Sequence, residues 1–214
     1  MSPGLKKGPS ASCSTRCVRI LADSDSLPHK CYNIPRRNLG GLSLLHVLCP
    51  DEAHGRLVDI DLERLVQKGI RALILDLDNT LVKWHEAEIP PEVDQWVDEA
   101  KAKGFKLCIA SNGFPERVRT IADRLGIPYV SGALKPRRTP FRKALMRMDA
   151  DSHETAVVGD QIFTDVLGGK RLGLYTILTR PLSRKEFPTT RILRGLESWV
   201  LRRLIQEGYI ADWR

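Results

Sequence analysis

Two carboxylates, Asp76 and Asp78, stand two residues apart directly after the apolar run from Ala72 to Leu75. A short continuous apolar run is typical of a strand buried on both faces, and α/β sheets carry their chemistry at the carboxyl ends of such strands. Carboxylates buried there need compensating charge, and their oxygens are ligands that Mg²⁺ prefers. The pair therefore predicts a metal site. For an isolated Asp-x-Asp pair, the alternative is that one aspartate caps the following turn and the other is exposed to solvent.

Two further polar segments follow apolar runs. Ser111 and Asn112 come directly after the run from Lys106 to Ala110, and a hydroxyl together with backbone N–H groups can bind phosphate oxygens. Lys135 follows a shorter apolar segment, where its ammonium would offset the charge of a carboxylate and a phosphate. Taken singly, these residues also fit an ordinary turn and an exposed loop lysine.

A second pair of acids, Asp160 and Asp165, follows the apolar segment from Ala156 to Val158. Asp160 stands at the strand end and could complete the metal site. Asp165 could bind the metal through water, could orient Lys135, or could be an acid in the first turn of a helix that interacts favourably with the helix dipole. The position of either acid in the sequence does not by itself distinguish between these roles.

In this order, each at the end of a predicted strand, the four segments resemble those of the haloacid dehalogenase (HAD) superfamily. The resemblance implies a nucleophile at Asp76, an acid/base at Asp78, phosphate binding at Ser111 and Asn112, charge neutralisation at Lys135, and Mg²⁺ binding by Asp76, Asp160, Asp165 and the main-chain carbonyl of Asp78. The dehalogenases of the superfamily lack an acid at the position of Asp78, and its ion pumps usually carry threonine there. Asp78 therefore indicates a phosphatase.

The implied mechanism has two chemical steps. Asp76 attacks phosphorus in line and forms an aspartyl-phosphate, while Asp78 protonates the leaving alkoxide. Asp78 then takes a proton from the water that hydrolyses this intermediate. Mg²⁺ and Lys135 neutralise charge on the transferring phosphoryl group.

Longer blocks narrow the resemblance to the YqeG family of bacterial HAD-IIIA phosphatases. They span Gly69 to Val82, Phe141 to Leu145 and Gly159 to Leu178, within a likeness that runs from about Leu42 to Leu204. The family is similar to mitochondrial phosphatidylglycerophosphate phosphatases, which implies removal of the terminal phosphate of that phospholipid to give phosphatidylglycerol. Two alternatives stay open: a soluble phosphatase for a nucleotide, sugar phosphate or phosphoprotein, and a phosphate-binding or scaffold protein without catalysis.

The elements that position these residues alternate along the chain. Strands are predicted at Ala72–Leu75, Lys106–Ala110, Tyr129–Val130, Ala156–Val158 and Leu174–Leu178, and helices at Val58–Lys68, Pro91–Lys103, Pro115–Leu125 and Arg191–Ile205. This alternation predicts an α/β fold with a doubly wound parallel sheet, which the resemblance identifies as HAD-like. Only 35 positions separate Asp76 from Ser111 and 24 separate Ser111 from Lys135, which leaves no room for a cap domain. A capless, open site favours a large substrate, such as a lipid, a nucleic-acid end or a phosphoprotein, or capping by another subunit.

The first 41 residues differ from the rest in composition. They are rich in Pro, Gly, Ser and Cys, show no helical or strand period, and carry a net charge of +5 out of the chain's +8. We therefore predict a disordered basic extension over residues 1–41 and a phosphatase domain over residues 42–214. The charge belongs mainly to the extension and does not indicate a specific nucleic-acid binder. A transit peptide and a misassigned start codon are alternatives for this segment.

No apolar run approaches 18 residues, so no transmembrane segment is predicted. The helix at Arg191–Ile205 carries Trp199 and aliphatic residues near one side and arginines elsewhere, which suits peripheral contact with an anionic membrane. Packing of the apolar side on the sheet is the alternative.

The five cysteines form no C-x-x-C pair, which favours a reducing compartment. We predict a cytoplasmic protein, either free or in peripheral contact with the inner face of the membrane.

Overall fold

A six-stranded parallel sheet organises the part of the chain that the structure, a computed structural model, describes: residues 45, 47–84, 86–183 and 188–210. The strand order is β1-β6-β5-β2-β3-β4, and every pair of neighbours is parallel. The strands are β1 (Glu52–His54), β2 (Ala72–Leu75), β3 (Lys106–Ala110), β4 (Tyr129–Val130), β5 (Thr155–Gly159) and β6 (Tyr175–Thr179). The predicted parallel α/β architecture is confirmed, while the prediction of a disordered extension over residues 1–41 lies outside the described residues.

Helices cover both faces of the sheet, as buried parallel strands require. They are α1 (Leu62–Gln67), α2 (Pro91–Ala102), α3 (Pro115–Leu125), α4 (Arg138–Met148), the short α5 (Leu167–Lys170) and α6 (Pro188–Gln206). Proline occupies the first turn of α2 and α3, where its missing N–H costs nothing, and Gly126 ends α3 in the left-handed region at φ +61°.

The sequence predictions differ from the observed elements at several points, and the helix α4 was not predicted. The helix predicted over Val58–Lys68 is divided into a 3₁₀ turn at Leu57–Asp59 and α1, because the Asp61 side chain accepts a hydrogen bond from Arg64 N and starts a new helix. The sequence analysis also missed β1, since three residues that include Glu52 and His54 carry no apolar run. β1 is held instead by pairing with the edge of β6.

The predicted absence of a cap domain is confirmed for the described residues. Between β2 and β3 the described residues 81–84 and 86–89 form a flap that is followed by α2, and between β3 and Lys135 the chain forms α3 and β4. Among the described residues, no inserted domain therefore lies above the carboxyl edge of the sheet.

Glu52 on β1, a strand separated from β2 by β6 and β5, is the centre of a buried ionic cluster. Its carboxylate contacts His54 Nε2 at 3.1 Å and Lys68 Nζ at 2.9 Å, and Tyr175 donates its hydroxyl proton at 2.9 Å. Burial alone would raise the pKa of Glu52, but the hydrogen bonds from His54 and Lys68 and the charge of Lys68 outweigh it and lower the pKa to about 2. The cluster therefore stabilises the ionised carboxylate and anchors the edge strand.

Acidification is expected to destabilise the protein partly through Glu52. Its folded-state pKa lies below the ordinary 4.5, so its contribution of about 3 kcal/mol is complete above that pH and is lost as pH falls towards about 2. Glu52→Gln should remove this part of the acid dependence, whereas Glu88→Gln, at an exposed position, should leave it intact. Denaturant unfolding at several pH values below neutrality measures the effect, and identical pH slopes in both variants would contradict the assignment.

Candidate active site

The four polar segments meet at the carboxyl edge of the sheet because their strands are neighbours in the order β5-β2-β3-β4. Asp76 continues β2 and donates its N–H to Val158 O of β5 at 2.9 Å, and Ser111 continues β3 and donates to Val130 O of β4 at 3.0 Å. The ladder thus carries the backbone of both residues one step past the strands. Side chains that are far apart in sequence are placed in one site.

Lys135 is buried between two carboxylates. Its Nζ lies 2.5 Å from Asp76 Oδ1 and 2.6 Å from Asp165 Oδ1. Burial would lower the pKa of Lys135, but the two carboxylates outweigh it and raise the pKa above its ordinary value, so the ammonium is charged at neutral pH. Burial raises the pKa of Asp76 to about 7, although the Lys135 charge opposes this shift. The lysine is therefore the main group that favours the ionised form of Asp76, which the sequence analysis predicts to be the nucleophile.

Asp165 is fixed on both sides. While Oδ1 binds Lys135, Oδ2 accepts from Gln161 N at 3.3 Å and from Thr164 Oγ1 at 3.2 Å. Its carboxyl group also lies directly against Gly159, where a Cβ would stand 2.2 Å from Asp165 Cγ. Gly159 is thus the residue that lets the acid approach the strand end. These contacts support the orienting role among those that the sequence left open for Asp165, and the predicted metal contact through water is compatible with it.

Three acids form a cluster that could hold a cation. Asp76, Asp160 and Asp165 offer carboxylate oxygens that all lie within 4.8 Å of one another. Asp160 Oδ1 is buried and has no hydrogen-bond partner among the described residues, which a native interior seldom tolerates unless an ion or water takes that place. Burial raises the pKa of Asp160, with Arg194 opposing, so a divalent cation would relieve an unfavourable concentration of charge. An all-oxygen set with an unused carboxylate oxygen fits Mg²⁺.

Asp78 is placed differently from these acids. Its side chain is half-buried and pairs with Arg117 Nη1 at 2.6 Å through Oδ1, outside the three-acid cluster. It lines the same cavity as Asp76, which suits an acid/base that must reach a leaving group. The metal contact predicted for Asp78 involves its main-chain carbonyl and stays a prediction.

Ser111 and Asn112 lie at the floor and rim of a cavity of about 410 Å³. Ser111 is buried and its Oγ accepts from Gly113 N at 2.9 Å, which leaves the hydroxyl proton as a donor. Asn112 Oδ1 accepts from Lys135 N at 2.9 Å, so any phosphate contact of this side chain would come from its amide nitrogen. The cavity is lined by Asp76, Asp78, Asn79, Trp84, Ser111, Asn112, Gly113, Phe114, Pro115, Arg117, Gly132, Lys135, Gln161 and Thr164.

Arg117, which the sequence analysis missed, connects Asp78, the predicted acid/base, to the flap. Besides Asp78, its guanidinium donates to the main-chain oxygens of Glu86 at 2.6 Å and Lys83 at 3.4 Å. A signal was present in the sequence. A basic residue in the first turn of a helix opposes the helix dipole, which favours an acidic partner for Arg117 at the start of α3, but nothing in the sequence identifies that partner as Asp78.

Arg117→Gln is expected to lower kcat by about 10²-fold, because Asp78 and the flap lose their common anchor and the acid is misplaced. Hydrolysis of p-nitrophenyl phosphate and of an ester with a poor leaving group measures the effect, which should be larger for the second ester since it depends on protonation. Arg119→Gln, on the exposed side of the same helix, is the control. Equal kcat values in the two variants would remove Arg117 from this role.

Comparison with known proteins agrees with this geometry. Residues 56–173 match the family model of the haloacid dehalogenase-like hydrolases. Over 161 residues the chain is 37% identical to the probable phosphatase YqeG of Bacillus subtilis, covering 75% of this chain and 94% of that protein. The chain belongs to the HAD hydrolases and, within them, to the YqeG family. The recognition made from the sequence motifs is confirmed, and the protein is a HAD-family phosphatase.

This YqeG-family chain is also similar to a plant phosphatase and, more distantly, to a solved structure. It is 31% identical over 159 residues to the chloroplastic/mitochondrial phosphatidylglycerophosphate phosphatase 1 of Arabidopsis thaliana, covering 70% of this chain and 46% of the plant protein. The chain thus spans about half of that relative. A crystal structure of an uncharacterised protein from Listeria monocytogenes superposes with a TM-score of 0.46 at 18% identity, covering 60% of this chain and 98% of the other.

Proposed function

We propose that the protein is a Mg²⁺-dependent phosphatase that acts through an aspartyl-phosphate on Asp76, with phosphatidylglycerophosphate as its substrate. One observation supports this chemistry above the others. Asp76 is buried at the end of β2, paired with a buried ammonium and grouped with two further acids, one of which has an unused oxygen. A carboxylate needs this surrounding to stay ionised in a buried site and to attack a dianionic phosphate.

Each residue of the site has a step in this mechanism. Asp76 attacks phosphorus, and Asp78, held by Arg117, gives a proton to the leaving oxygen and later accepts one from the attacking water. Lys135 stabilises the charge of the nucleophile and of the transferring phosphoryl group, while the Ser111 hydroxyl donates to a phosphate oxygen. Mg²⁺, when held by Asp76, Asp160 and Asp165, would neutralise phosphoryl charge as a Lewis acid.

The proposed lipid substrate is supported by relatives and by the surface around the cavity. Phosphatidylglycerophosphate phosphatases of Arabidopsis and of Chlamydomonas reinhardtii are 31% and 26% identical to this chain. Two large apolar side chains, Phe114 and Leu134, are exposed by 68% and 61%; Phe114 lines the cavity, and Leu134 directly precedes the cavity residue Lys135. Exposed apolar groups beside a phosphate-binding cavity suit a phosphomonoester that is attached to a lipid surface.

The two apolar side chains belong to loops that are joined to each other. Ala133 N donates to Ser111 O at 3.0 Å, and Lys135 N donates to Asn112 Oδ1 at 2.9 Å. Leu134 has a φ of +51°, a conformation that costs a branched residue about 1 kcal/mol or more. The fold therefore keeps a leucine pointing outward next to Lys135 at a cost in backbone strain, which favours a role in contacting substrate.

Phosphate release with dispersed phosphatidylglycerophosphate and with a panel of soluble phosphomonoesters tests the proposal, each with Mg²⁺ and with a chelator. The protein should prefer the lipid and lose activity in chelator. Phe114→Ser and Leu134→Ser should lower the rate on the lipid but leave p-nitrophenyl phosphate hydrolysis unchanged. Met146→Ser, 80% exposed near the end of α4, is the matched control.

A soluble substrate is the second candidate, because a cavity of about 410 Å³ is large enough to hold a small phosphomonoester. A higher rate on a nucleotide or sugar phosphate than on the lipid would favour it. Activity that persists in chelator would contradict the Mg²⁺ part of the proposal, and no activity on any ester would contradict all of it.

We further propose peripheral contact with the inner, cytoplasmic face of an anionic membrane. No helix among the described residues is long and apolar enough to cross a bilayer. In α6, Val200 and Leu204 pack into the core, as the alternative interpretation of this helix expected, whereas Leu196 and Trp199 are half exposed. Vesicle flotation of Trp199→Ser and Phe114→Ser distinguishes the two candidate surfaces. Equal flotation with anionic and neutral vesicles would contradict the membrane proposal.

A further inference from the structure

The helix α6 reaches the site through Arg194. The Nη1 group of Arg194 donates to the main-chain oxygen of Asp160 at 2.7 Å, and its Nη2 group pairs with Asp160 Oδ2. Two donors of one guanidinium thus bind two oxygens of the same residue. This fork fixes the orientation of a side chain more strongly than a single contact does.

Glu197, one turn further along α6, holds this arginine in place. Its carboxylate is buried, contacts Arg194 Nη1 at 2.9 Å and accepts from Phe163 N at 3.2 Å. Phe163 lies in the π-helical turn Ile162–Val166, which also carries Asp165. Arg194 and Glu197 therefore connect α6 to both Asp160 and the turn that follows it.

The contacts of Asp160 divide its two carboxylate oxygens. Oδ2 is taken by Arg194, whereas Oδ1 is buried without a hydrogen-bond partner among the described residues. We propose that Arg194, supported by Glu197, is a positioning residue that turns Asp160 so that Oδ1 faces the cation. This inference rests on the metal dependence in the proposed function. Outer contacts of this kind orient metal ligands and raise the affinity of a site.

An opposing effect makes the inference testable. A guanidinium close to a cation repels it, so an arginine that merely replaced the missing positive charge would weaken Mg²⁺ binding. The two roles therefore predict opposite effects of removing Arg194. Mg²⁺ affinity falls if the arginine positions Asp160, and it rises if the arginine only takes the place of the cation's charge. Arg194→Lys separates charge from geometry, because lysine keeps the charge but lacks the planar fork.

Calorimetric titration with Mg²⁺ measures the affinity without reference to turnover, and thermal unfolding in chelator reports on folding. Arg194→Gln should weaken Mg²⁺ binding by about 10- to 100-fold. Arg194→Lys should recover only part of the lost Mg²⁺ affinity. Glu197→Gln, which keeps a hydrogen-bond acceptor, should give a smaller loss in the same direction. Arg203→Gln, at an arginine of α6 that pairs with Glu207, should bind Mg²⁺ as the unmodified protein does.

Unchanged or tighter Mg²⁺ binding in Arg194→Gln would overturn the inference, as would a lower melting temperature with unchanged affinity. If Arg194→Gln does not fold, Glu197→Gln and Arg194→Lys decide by the same criterion. A failure of the proposed function looks different. The unmodified protein would then bind no Mg²⁺, or would bind it and release no phosphate from the lipid.

Discussion

Asp76→Asn is expected to abolish Mg²⁺-dependent phosphate release, with a loss on the order of 10⁴-fold or more, as for other enzymes that lose their nucleophile. The amide has the shape of the carboxylate but cannot form the acyl phosphate. The fold should persist, because Lys135 keeps Asp165 as a partner at 2.6 Å. Removal of a buried charge whose pKa is raised to about 7 should leave the melting temperature unchanged or higher.

The matched control for this change is Asp98→Asn, the same substitution at a carboxylate whose side chain is 71% exposed on α2. Phosphate release and thermal unfolding of both variants are measured side by side. Asp76→Asn protein that is folded and retains even a tenth of the activity would exclude Asp76 as the nucleophile.

Lys135→Met is expected to damage both stability and catalysis. Without the ammonium, the buried carboxylates of Asp76 and Asp165 lose their common partner, which costs about 3–5 kcal/mol of unfolding free energy for a buried pair. The pKa of Asp76 should rise further, so that the nucleophile is protonated at neutral pH. We expect turnover to fall by about 10³-fold, as when a preorganised electrostatic group is removed.

A double variant separates the two effects of Lys135. Lys135→Met with Asp165→Asn removes one of the unpaired charges and should recover part of the stability but none of the activity. Lys143→Met, at an exposed lysine of α4, is the control. Denaturant unfolding and kcat decide the matter. Full stability of Lys135→Met in chelator would contradict the pairing, and full activity would contradict the catalytic role.

Much of the site could be predicted from sequence because parallel strands end at one edge. Once Ala72–Leu75 and Lys106–Ala110 are recognised as buried strands, Asp76 and Ser111 must lie close together whatever connects them. The short spacings between the motifs likewise predicted the missing cap. These features depend on local patterns and chain length, which a single sequence contains.

The rest depends on contacts between distant segments. Arg194 lies 34 positions from Asp160, and Arg117 lies 39 from Asp78, so no local period or spacing links the partners. The same holds for β1, because the buried Glu52 is stabilised in part by Lys68 and Tyr175, which belong to other segments of the chain. Charged residues that support other charged residues are visible only after the chain has folded.

Trapping of the intermediate tests the nucleophilic role of Asp76 most directly. In Asp78→Asn, p-nitrophenyl phosphate should still phosphorylate the enzyme, because p-nitrophenolate leaves without an acid, while hydrolysis of the acyl phosphate slows. Rapid acid quenching should then give a burst of about one p-nitrophenol per active site and a phosphorylated peptide that contains Asp76. A phosphoryl group on a different residue, or turnover with no phosphorylated peptide at any time, would contradict the mechanism.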